Sequence, residues 1–132
     1  MPSRTLIRTR RRIIANTIVD RCQALPDDER ELLLAVFEQG RTIQQVVRRQ
    51  DPDPATLSRR AALARRNLRR LVRRILCPTF DVVRRLGPTW PPAMARVGHA
   101  CFIRGLSMRE AADALDISLY NVRRHTQAIR AI

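Results

Sequence analysis

Two stretches of the chain carry side chains whose types and spacing suit the surface of a nucleic acid. The first is LYNVRRHTQAI, Leu119–Ile129. Wound as a helix, it buries Val122 and Ile129 and turns Leu119, Tyr120, Asn121, Arg123, Arg124 and Gln127 outwards or sideways. Arginine matches the N7 and O6 acceptors of guanine, and asparagine or glutamine matches the adenine edge. Tyrosine can donate to phosphate. The second stretch runs from Thr56 to Leu76 and holds eight arginines, with no acid between Pro54 and Phe80. Leu57, Ala61, Ala64, Leu68, Leu71 and Ile75 are spaced by four and three, which gathers them on one helical face. Arg59, Arg66, Arg69, Arg70 and Arg73 fall on the opposite face. A solvated helix surface mixes charge signs. A single-sign row fits a row of phosphates instead.

The whole chain shares that bias. Its 132 residues carry a formal net charge of +14, and all 26 basic residues are arginine. Residues 41–76 hold 11 of those arginines against two acids, so the middle third is the electrostatic footprint. Self-repulsion of this size is unfavourable without a polyanionic partner. Charge alone fits ribosomal RNA or an acidic protein as well as it fits DNA.

Other chemistry is poorly supported. His99 and Cys101 lie two apart, where helical side chains diverge, and no second pair completes a metal site. His125 lies on the inner edge of its helix with no nucleophile arranged beside it. The 12 acids suit helix starts better than a nuclease centre, and the 4 glycines form no phosphate-cradling loop. No enzyme activity, metal or cofactor is expected. No apolar run approaches a membrane span. Cys22, Cys77 and Cys101 are odd in number and lack CxxC spacing, which points to a reducing compartment. The arginine-rich start is expected to be a basic helix or DNA-contacting arm rather than a transit peptide.

The elements that must position these side chains are helical. Apolar residues make up 45% and aromatics 4%, so the core is aliphatic, and no alternating β-branched run appears. Residues 4–24 are expected to form a helix with Ile7, Ile14 and Ile18 inward. A second helix runs from Pro26 to about Gln39 and ends at Gly40. Thr42 caps a short helix to about Arg49, Asp51–Pro54 is a turn, and Asp53 caps a long arginine-rich helix expected from Pro54 to about Leu76. Residues 77–92 contain four prolines and read as a connector with one helical turn, and Trp90 plugs the junction between the units. Residues 91–104 form a helix ended by Gly105. Ser107 caps a short helix, Asp116-Ile117 is the turn, and Ser118 caps the last helix. The order helix, glycine, short helix, turn, basic helix therefore occurs twice. This layout is that of two helix-turn-helix units, in which a supporting helix sets the angle of a recognition helix in the major groove.

The residues of the second unit carry a family resemblance. GLSMREAADALDISLYNVRRHTQAI, Gly105–Ile129, resembles the helix-turn-helix of LuxR-type regulators and of region 4 of sigma-70 factors. The matching positions are Gly105, Ser107, Glu110, Ala111, Leu115, Ile117, Ser118, Val122, His125 and Ile129. In the first unit, LPDDERELLL (Leu25–Leu34), Thr42, Ile43, Val46 and TLSRRAALARRNLRR (Thr56–Arg70) resemble region 4 of the extracytoplasmic-function sigma factors. That resemblance implies a helix that reads the −35 promoter element and a surface that touches the β flap of RNA polymerase. By position, Ala55, Ser58, Arg59 and Ala62 would face bases, and Arg65, Arg66 and Arg69 would meet phosphates. The sequence departs from the pattern at Gln50 and Pro52, where the family has aliphatic residues. The aromatics are scattered, so the promoter-melting function of a complete sigma factor is not expected.

The combined expectation is an all-α protein with two tandem helix-turn-helix units joined by a proline-rich connector. The first unit spans 1–76, the connector 77–92 and the second unit 93–132. Its function would be to bind double-stranded DNA and regulate transcription initiation in the bacterial cytoplasm, on the nucleoid. The expected DNA contacts are Ser58, Arg59, Arg65, Arg66, Arg69 and Arg70 in the first unit. In the second they are Ser118, Tyr120, Asn121, Arg123, Arg124 and Gln127. The alternative is a sigma-like accessory or adaptor that binds RNA polymerase rather than reading DNA itself.

Overall fold

The computed structural model describes Arg4–Ile132, which is all helical with no strand among the described residues. The α-helices are α1 (Arg4–Arg21), α2 (Asp27–Phe37), α3 (Ile43–Gln50), α4 (Leu57–Leu76), α5 (Pro78–Leu86), α6 (Pro92–Gly98), α7 (Met108–Leu115) and α8 (Leu119–Arg130). Short 3-10 turns at Cys22–Ala24 and Gly87–Thr89 follow α1 and α5, and α6 continues in π-type turns over His99–Ile103. No helix among the described residues is long and apolar enough to cross a membrane. The chain divides into two compact units, one ending at Arg73 and the other beginning at Arg74.

In the first unit α1 packs on α2, and α2 on α3. Its buried residues include Ile18, Cys22, Leu25, Leu33, Val46 and Val47. Ile18 packs as the spacing predicted, but Ile7 and Ile14 are 37% and 47% exposed. The reason is length. At 1.5 Å per residue, the 11 residues of α2 cannot cover the 18 of α1. Burial raises the Cys22 thiol pKa above its ordinary value.

The second unit corrects the expectation of a connector. Residues 78–86 are the helix α5, and α5 is part of the core: Phe80 is fully buried and Val83 nearly so. Burying such a side chain contributes roughly 1.5–3 kcal/mol. Pro78 and Pro92 start helices rather than break them, because the first helical turn needs no N–H donor. Asp81 holds the α5 surface by ion pairs to Arg84 (2.6 Å) and Arg85 (3.5 Å). Trp90 also belongs to this unit. It flanks Gly98, where an added Cβ would lie 3.2 Å from Trp90 Cζ3, 3.1 Å from Ile129 Cδ1 and 3.3 Å from Val83 Cγ1. The helices α6, α7 and α8 pack pairwise around Val97, Ala100, Ala111, Ala112 and Val122. Three of those five are alanines, which lets the backbones approach closely.

Candidate nucleic-acid interface

The two basic helices are each delivered by the same backbone module, repeated at a constant offset of 65 residues. Gly40 and Gly105 have φ of +69° and +72°, the left-handed conformation that favours glycine and stops a helix. On either side of each glycine the same hydrogen bonds form. The Gln39 N–H donates to Leu34 O and Arg41 N–H to Ala35 O, both at 2.9 Å. The Arg104 N–H donates to His99 O at 2.9 Å and Leu106 N–H to Ala100 O at 3.0 Å. Two residues after each glycine a hydroxyl residue builds a reciprocal capping box. The Gln45 N–H donates to Thr42 Oγ1 (3.2 Å) and Thr42 N–H to Gln45 Oε1 (2.9 Å). The Glu110 N–H donates to Ser107 Oγ (3.1 Å) and Ser107 N–H to Glu110 Oε1 (3.0 Å). Both supporting helices then run for eight residues and end against an aspartate, Asp51 or Asp116.

The Glu110 carboxyl is held below the usual glutamate range by its bonds to the Ser107 backbone and hydroxyl. A depressed acid stabilises the fold above its unfolded value of about 4.3, and that contribution is lost as pH falls through the folded value. Glu110→Gln keeps the box, as Gln45 does in the first unit, but removes this titration. Acid unfolding monitored by circular dichroism should therefore show a shallower dependence below about pH 5 in the variant.

The two modules diverge at the turn. In the second unit it is three residues, Asp116–Ser118. Asp116 adopts φ +54°, and the Ile117 N–H donates to Ala112 O (3.1 Å). Asparagine and glycine tolerate that conformation, whereas a β-branched residue does not. Asp116→Val should cost about 1–2 kcal/mol in urea unfolding, and Asp116→Asn should be close to neutral. Ser118 then caps α8, its Oγ accepting from Asn121 N–H at 3.1 Å.

In the first unit the turn is six residues, Asp51–Thr56, and α4 starts at Leu57 rather than at Pro54. Asp51 and Asp53 fold it by accepting from the Asp53 and Ala55 N–H groups. Arg60 clamps it. The guanidinium donates to the carbonyls of Val47 (3.2 Å), Asp51 (2.7 Å) and Asp53 (2.9 Å) and to Thr56 Oγ1 (2.9 Å). Gln50 and Pro52 are exposed, so neither plugs this turn. A planar cation ties the turn together instead. Sequence reading missed Arg60 as a positioning residue. The available signal was its place beside the buried Ala61, off the face shared by the other arginines.

Faces of the two basic helices sort the expected contacts. At about 100° per residue, Tyr120, Arg124 and Gln127 share the outer strip of α8, opposite the buried Val122, Thr126 and Ile129. Tyr120 is 73% exposed. Arg123 is exposed on one flank, and Asn121 is half-buried on the other, beside His125. Ser118 sits at the start of the helix with its oxygen engaged in the cap. On α4, Arg59, Arg66, Arg69, Arg70 and Arg73 line the outer strip, while Ser58 and Arg65 are exposed at its edge. Of the eight arginines on α4, Arg60 and Arg74 are half-buried and the other six are exposed. From Arg59 to Arg73 the strip extends about 21 Å. Ala62 and Leu63 interrupt it, and Leu63 is 51% exposed.

Among the described residues no group of three histidine, cysteine or acidic side chains could hold a metal ion. His99 is kept below its ordinary pKa by burial and then by Arg104, so it is neutral near pH 7. Each unit therefore presents one acid-free basic helix, preceded in sequence by a capped short helix. Comparisons with protein-family profiles, curated proteins and solved structures find no match to this chain.

Proposed function

We propose that the chain is a DNA-binding regulator of transcription initiation, with α8 reading bases and α4 supplying phosphate contacts. The observation that carries this reading is the duplicated module. The same glycine, capping box and eight-residue helix occur twice, and each leads into a helix without one acidic residue. A short helix fixed at both ends is what a recognition helix needs to hold its angle in the major groove. The resemblance of both stretches to sigma-70 region 4, and of the second to LuxR-type regulators, agrees with it. The reading places the chain in the bacterial cytoplasm, on the nucleoid.

Salt titration of binding to a duplex tests it. Each phosphate neutralised adds about −0.9 to the slope of log K against log salt. Arg66→Ala with Arg69→Ala should weaken all sequences about equally and shallow the slope by about 2. A slope near zero in the parent chain would remove DNA from the account.

A second reading is favoured by Leu63 and Ala62 in the middle of the α4 arginines. An apolar centre inside a basic rim suits an acidic protein surface better than base edges. In this reading the first unit engages RNA polymerase as a sigma-like accessory or adaptor. Polymerase retention that survives nuclease treatment supports it, and loss of retention supports the plain DNA-binding regulator.

A further inference from the structure

A cleft of about 450 Å³ opens within the second unit, away from the outer strip of α8. Its floor and walls include Phe80, Phe102, Leu106 and Met108, with Cys77 and Cys101 beside them. Two guanidinium side chains, Arg74 and Arg130, and three hydroxyls, Thr79, Ser107 and Thr126, complete it, and no acid lines it. Arg74 lies against Gly105, where an added Cβ would come within 2.5 Å of its Nη1. Arg130 sits 5.5 Å from the centroid of the Phe102 ring. Burial raises the Cys101 thiol pKa, so the cysteine contributes a neutral apolar surface near pH 7.

We infer that this cleft binds a small carboxylate with an aromatic or branched apolar body. Its volume falls in the range of small-molecule sites, which are mostly apolar with a few placed polar groups. The charge lining it has one sign, so the complementary ligand is an anion. Arginine holds carboxylates through paired N–H donors, and a guanidinium over a ring prefers an aromatic neighbour. An occupant would touch Ser107 and Met108 at the start of α7 and Thr126 and Arg130 on α8. Those helices already meet there, with Thr126 Oγ1 3.8 Å from Met108 Sδ. The ligand would bridge the supporting helix and the helix it supports. The assignment of a binding site does not depend on what α8 contacts.

The test uses the full chain without DNA, titrated with 4-tert-butylbenzoate and with its neutral amide, followed by nitrogen–proton correlation spectra. The expected result is saturable shifts centred on Ser107, Met108, Thr126 and Arg130, with the carboxylate at least about tenfold tighter than the amide. Arg130 is exposed, so Arg130→Gln should fold normally and lose roughly the same tenfold for the carboxylate alone. Equal affinity for acid and amide, shifts spread over the surface, or no saturation would overturn the proposal.

Discussion

Replacing Arg124 and Gln127 together by alanine is expected to abolish most of the discrimination between a preferred DNA site and a scrambled one. These two side chains share the outer strip of α8 with Tyr120. A well-placed bidentate contact discriminates by about 1–3 kcal/mol, so the pair should lose roughly 30-fold or more in specificity ratio. Affinity for the scrambled site should fall much less, because the arginines of α4 remain. The measurement is competitive titration of both duplexes at fixed salt. Asn121→Ala should matter less than either. Its side chain is half-buried on the flank of α8, although the sequence pattern grouped it with the outward residues. A double variant that kept its preference would move base reading to another surface.

Arg60→Ala is expected to destabilise the first unit by about 2–3 kcal/mol. One guanidinium satisfies three carbonyls and a hydroxyl across the turn between α3 and α4. Its side chain is 25% exposed, so water compensates part of the loss. Arg60→Lys should recover less than half, because a compact ammonium cannot span acceptors that a planar fork reaches together. Urea unfolding of both variants checks the prediction. Arg59→Ala is the control: Arg59 is exposed on the outer strip of α4 and should leave stability within about 0.5 kcal/mol. Equal effects at positions 59 and 60 would mean that the turn is not clamped.

Much of the fold was legible because its boundaries rest on local chemistry. Gly40 and Gly105 stop helices, and Thr42, Ser107 and Ser118 start them, in each case through backbone groups only a few residues away. The prolines between 77 and 92 were misleading. Proline at a helix start and proline in a loop have the same sequence signature, and only the burial of Phe80 and Val83 separates them. Ile7 and Ile14 have the right spacing to pack, but spacing does not reveal that α2 is too short to cover them. At the candidate interface, helical phase located the outer strips of α4 and α8. It did not reveal that Arg60 is consumed by the turn, because that role depends on where the Val47, Asp51 and Asp53 carbonyls come to point. The 65-residue repeat was visible as an order of elements. Its matching hydrogen bonds required coordinates, since few side chains are shared between the copies.

Selection from a random duplex pool at near-physiological salt, followed by titration of the best site against a scrambled one, decides whether the protein reads DNA sequence. A sequence-reading regulator should yield a defined motif bound at least about 10³-fold more tightly than the scrambled duplex, with that preference cut roughly 30-fold or more in the Arg124→Ala, Gln127→Ala variant. Tight but sequence-blind binding, or no binding, would contradict that reading and favour the polymerase-bound accessory.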